Sequence, residues 1–123
     1  MNYDPESAPD PEAWLELNEP ERIELVRRFH ALTQETSGGP ETHAIVHVSV
    51  ETQLAEGHPA ARAAMARLLE EGLDRHEALH AISSVVAGEI FHVLKSGRSH
   101  DPVAYAKKLS VLTAAVWRSG GSQ

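Results

Sequence analysis

Helix starts and helix stops recur along this chain at a spacing that leaves little room for anything else. Asp10-Pro11, His58-Pro59 and Asp101-Pro102 each set a polar residue before a proline. Proline is tolerated at the first helical position, where its missing N–H would be unpaired anyway. Asn18 with Glu21, and Asp74 with Glu77, have the spacing of a capping box, in which side chain and backbone satisfy each other across the first turn. Gly57, Gly72, Gly97 and Gly120-Gly121 stand where helices should stop. Between these marks the apolar residues recur at two to four positions, as in Ile23, Leu25, Val26, Phe29 and Leu32. No segment alternates polar and apolar for long. Only 44–50, with its valines and isoleucine, resembles a strand, and its flanks are helical. The expectation is an all-α protein, a compact antiparallel bundle of five to six helices. The sixth helix should run from Pro102 through Val116. In helix five the core stripe should be Leu79, Val86, Ile90 and Leu94.

At 123 residues the chain has the length of one domain, expected over 10–118, with a flexible leader over 1–9 and a flexible tail over 119–123. Eighteen acidic residues against eleven basic ones give a net charge of −7. That balance speaks against nucleic acid and against an anionic membrane surface as partners. A protein partner or a homo-oligomer stays open. There is no basic-then-apolar signal segment and no apolar run of membrane-spanning length, so the sequence reads as cytoplasmic. The absence of cysteine removes disulfides and thiolate metal ligands.

Eight histidines are many for such a chain, and four of them fall into two pairs. His43 and His47 are four apart, as are His76 and His80. Residues four apart share a helix face, so each pair can close on one cation. His43 and His47 fall on the stripe of Val46, Val50 and Leu54, and His76 and His80 on the edge of the Leu79 stripe. All four imidazoles therefore point at the core or its rim. An unsatisfied buried polar group costs about 1–3 kcal/mol, so their convergence implies either an organised hydrogen-bonded cluster or a metal. Nitrogen and oxygen donors suit a divalent transition metal, Zn foremost, with Fe, Mn, Ni and Cu as alternatives. Glu51, four residues after His47, is the best-placed oxygen ligand. Glu89 projects away from the histidine edge.

His76-Glu77-Ala78-Leu79-His80 also reads as H-E-x-x-H, in which a Glu activates metal-bound water. Glu77 would be the catalytic base. The same residue has a second explanation as the acid of the Asp74 capping box. The extended metzincin pattern is absent, with Ser83 and Val86 in its place. Three functions stay open: a structural or sensing metal site, a zinc-dependent hydrolase, and a metal-free histidine cluster serving as a pH-sensitive interaction module. His58 and His100 read as loop residues, Gln53 as a candidate second partner for a ligand histidine, and Arg62, Arg67 and Arg75 as scattered charges.

The two phrases resemble a family of small, mostly bacterial proteins of unknown function. Its members carry H-x-x-x-H followed by Glu and Gln, and later H-E-A-x-H followed by an acidic residue. Here these are His43, His47, Glu51 and Gln53, then His76, Glu77, Ala78, His80 and Glu89, over about 42–94. Thr52 stands where the family often has Glu before the Gln. The resemblance implies a helical fold and a histidine constellation, and it carries no established activity.

Overall fold

The computed structural model describes residues 3–33 and 40–119, and the side chains of 3–29 and 44–119. Seven helices make up the described chain, with no strand among the described residues. They are α1 (Pro11–Glu16), α2 (Glu19–Thr33), α3 (Pro40–Ala55), α4 (Pro59–Glu70), α5 (Arg75–Ser96), α6 (Pro102–Ser110) and α7 (Ala114–Arg118). The all-α reading holds, and 44–50 is helical.

The caps explain where the helices begin. The Asp10 carboxylate accepts from Ala13 N–H, and Asp101 from Val103 and Ala104 N–H. Asn18 and Glu21 form the full reciprocal box, each backbone N–H donating to the other's side chain at 2.9 Å. His58 is no mere loop residue: its Nδ1 accepts from Ala61 N–H at 3.2 Å and caps α4. At the far end of α5, Gly97 takes φ 71°, the left-handed conformation that closes a helix without a Cβ penalty.

There is one helix more than expected, because the segment beginning at Pro102 breaks before Thr113. Arg67 on α4 donates to the carbonyls of Leu109 and Leu112, satisfying acceptors at the end of α6. Thr113 then caps α7 through Val116 N–H, and the Glu71 carboxylate accepts from Ala114 N–H at 2.7 Å.

Two apolar clusters share α3. Val46 and Val50 pack with Leu68 of α4, with Leu79 and Ile82 of α5, and with Leu109 of α6. Ala44 and Val48, on the other side of α3, pack with Trp14, Val26 and Tyr3. A helix apolar around its circumference belongs inside, and α3 is the central helix of this fold. Each fully buried aliphatic side chain contributes about 1.5–3 kcal/mol. The α5 stripe is buried only as far as Val86; Ile90 and Leu94 are exposed, at 42% and 78%. The expected stripe therefore fails over the last turns of α5, where no described helix covers it.

The segment 3–9, expected as a loose leader, is held against the domain. Tyr3 is buried between Trp14 and Phe29, with ring centroids at 5.9 and 6.2 Å. Arg75 Nη1 donates to Pro5 O at 2.9 Å, and His76 N–H to the Glu6 carboxylate at 3.3 Å. Of the expected tail, 120–123 lie outside the described residues.

Candidate metal centre

The site forms where α3 packs on the first turns of α5. α5 begins at Arg75 because Asp74 accepts the Glu77 N–H at 2.7 Å, and that start puts His76 and His80 one turn apart on one edge. His47 faces them from the middle of α3 and is fully buried, while His76 and His80 are half-buried. One ring nitrogen from each of the three lies within 4.8 Å of the others. The ring centroids stand 4.4 Å apart for His76 and His80, 4.9 Å for His47 and His80, and 5.7 Å for His47 and His76. Zn–N bonds of about 2.0–2.1 Å put tetrahedral ligand nitrogens about 3.4 Å apart. The 4.8 Å within which the three nitrogens lie is wider than that spacing. Phe29 packs edge-on against His76 at 5.5 Å and covers the apolar side of the site.

Of the expected ligands, the structure thus brings together His47, His76 and His80. The side chain of His43 lies outside the described residues. Glu51 is engaged elsewhere. Its carboxylate accepts Arg75 Nη1 at 2.9 Å, Arg75 Nη2 at 2.8 Å and the Tyr3 hydroxyl at 2.6 Å, in a spot where Glu51 is 2% exposed. Three charge-assisted bonds occupy its oxygens and turn it from the histidines. Burial pushes the Tyr3 phenol well above its ordinary range, and the neighbouring carboxylate pushes the same way. For Arg75, burial works against the charge, and the bonds to Glu51 more than offset it, so the guanidinium is held charged. Nothing local in the sequence marks Tyr3 and Arg75 as partners of Glu51, because they are 48 and 24 residues away.

Glu77 is exposed, and its carboxylate does not close the reciprocal box that Glu21 closes. It accepts instead from Trp117 Nε1, at 3.4 Å. Beside it a polar cavity of about 250 Å³ opens on His76 and His80, lined also by Glu6, Asp74 and Trp117. The histidine group therefore has a dry side, toward Phe29 and the core, and a wet side, toward Glu77. Glu89 lies apart, in an ion pair with Lys108 at 3.1 Å and 3.5 Å from His100 Nδ1. The Lys108 bond is the main cause holding its carboxyl below the usual range. Gln53 accepts from the Tyr105 hydroxyl at 2.8 Å.

No curated protein and no solved structure matches the chain. A family model described as DUF1841, a domain of unknown function, matches residues 8–111. With that match covering most of its length, the chain belongs to the DUF1841 family.

Proposed function

We propose that this protein binds a divalent transition metal through His47, His76 and His80, in a structural or sensing role. The observation that carries the reading is the approach of three ligand nitrogens to within 4.8 Å of one another at the α3–α5 junction. Three imidazoles from two helices make a nitrogen-rich set that suits Zn²⁺, with Fe, Mn, Ni and Cu as competitors. His43, one turn before His47 in sequence, is the candidate fourth ligand.

The test is elemental analysis of protein purified without an affinity tag, followed by thermal denaturation with chelator and with each metal. A metal that binds only the folded state stabilises it by about 2.7 kcal/mol at a hundredfold excess over Kd. One metal near one equivalent per chain, and a midpoint that falls on chelation, is the expected result. No shift with any first-row divalent metal would refute the reading.

A second reading, zinc-dependent hydrolysis, draws on the polar cavity on the wet side of the histidines. A bound metal there would supply Lewis acidity. His47, His76 and His80 would hold it, and Glu77, on the cavity wall, would accept a proton from water. The structural or sensing role ranks first because the capped start of α5 and the contact with Trp117 account for Glu77 without any chemistry.

A further inference from the structure

On the far side of the Glu51–Arg75 pair a second cavity, of about 500 Å³, opens between the segment before α1, the end of α3 and the face of α4. Its volume is in the range of small-molecule pockets, about 300–1,000 Å³. Its walls are apolar, with Pro9, Leu54, Met65 and Leu69 among them, and Leu69 is left 42% exposed. Three charged groups line it: Glu51, Arg75 and Arg62. Glu51 and Arg75 neutralise each other at 2.8 Å. Arg62 is different. Its Nε donates to Leu54 O at 3.2 Å, which pins the guanidinium at the rim, and it makes no ion pair among the described residues. The cavity thus carries one uncompensated positive charge on a chain whose net charge is −7.

From this we infer that the cavity is a binding site for a medium-chain monocarboxylic acid. The hydrocarbon chain lies against Leu54, Met65 and Leu69, and the carboxylate meets the Nη groups of Arg62. The occupant is a single-headed acid because the apolar walls offer nothing to a second charge. It is an anion because a cationic head would face Arg62 with no free carboxylate to receive it: the Glu51 oxygens are taken by Arg75 and Tyr3. A planar guanidinium fits a carboxylate with two parallel bonds. This site is separate from the histidine group and does not depend on the metal reading.

Isothermal titration of the full chain, treated with chelator so that no metal competes for the carboxylate, tests the inference. The probes are butanoate, hexanoate, octanoate, 1-octanol and octylamine. Octanoate is expected to saturate at one per chain, about tenfold tighter than octylamine. Affinity should rise about three- to fourfold per methylene from butanoate to octanoate. Arg62→Gln should bring octanoate down to the level of 1-octanol, and Arg62→Lys should keep part of the preference. Leu69→Asn, at an exposed position, should weaken octanoate and octanol alike. Octanoate that does not saturate, octylamine binding as tightly as octanoate, or octanoate affinity unchanged in Arg62→Gln would each overturn the assignment. If Arg62→Gln failed to fold, as read by circular dichroism, the ranking of the probes on the unaltered chain would decide.

Discussion

Arg75 and Glu51 form a bidentate ion pair almost closed to water: the side chains are 11% and 1% exposed and the bonds measure 2.9 and 2.8 Å. The pair ties the first residue of α5 to α3, one residue before His76 and one turn after His47. The same contact that holds the two helices together therefore sets the two histidine-bearing faces opposite each other. Removing one partner leaves the other charge buried and alone, which costs about 3–5 kcal/mol, whereas replacing both with apolar residues is often far less costly. Urea denaturation of Glu51→Leu, Arg75→Met and the double variant should give two large single losses and a double loss smaller than their sum. Additive losses would mean the pair is not coupled in solution.

The chain's two tyrosines should both resist ionisation. Burial raises Tyr3, reinforced by Glu51, and burial is also the main cause raising Tyr105. A pKa raised in the folded state contributes stability that is complete below the unfolded value, near 10. That stability is lost as pH rises toward and through the folded one. Absorbance of tyrosinate should therefore appear at higher pH in the folded chain than in the unfolded one. Tyr3→Phe should lower stability at pH 7 by about 1.5–3 kcal/mol, the usual range for a hydrogen bond to a charged group. It should also flatten the alkaline limb. Absorbance of two tyrosinates forming near pH 10 in a chain still folded by circular dichroism would contradict the burial of both phenols.

Glu89 gives the opposite limb. Its carboxyl is held low chiefly by the Lys108 bond. A depressed folded pKa contributes stability above the unfolded value, near 4.3, and that stability is lost as pH falls through the folded one. Thermal midpoints measured from pH 7 to pH 3 should fall less steeply in Glu89→Gln than in the unaltered chain. Parallel curves would show that the Lys108 pair is fully screened by solvent.

His80→Ala separates ligation from packing. His80 is half-buried on the edge of α5, so its loss should cost modest stability in chelated protein. If His80 ligates, metal occupancy should drop sharply and the metal-dependent rise in midpoint should vanish. An unchanged metal response in a folded variant would remove His80 from the proposed ligand set.

For Glu77→Gln the expected stability change is within about 0.5 kcal/mol, because Gln can also accept from Trp117 and Asp74 keeps its cap on the backbone N–H. Metal content should not change. A screen with ester, amide and phosphoester substrates at matched metal content then tests the hydrolytic reading. A general base contributes about 10²–10⁴-fold in rate. Activity that survives unchanged would exclude Glu77 as that base.

What could be read from the sequence alone was what depends on near neighbours along the chain. Asp10, Asn18 with Glu21, Asp74 and Asp101 announce helix starts because a cap is a hydrogen bond across two or three residues, whatever surrounds it. Gly57 and Gly97 announce stops because a positive φ is a property of one residue. The shared edge of His76 and His80 follows from helical spacing in the same way. The tertiary structure decided everything that needed a partner far along the chain. The break before Thr113 goes with the bonds from Arg67 to the carbonyls of Leu109 and Leu112, and the docking of Tyr3 with its bond to Glu51. Glu51 shows the difference most plainly. Its spacing from His47 is that of a ligand, but spacing fixes only the face on which a side chain stands. Arg75 and Tyr3 reach that face first, and a carboxylate in an apolar interior goes to the cation and hydroxyl that can satisfy it.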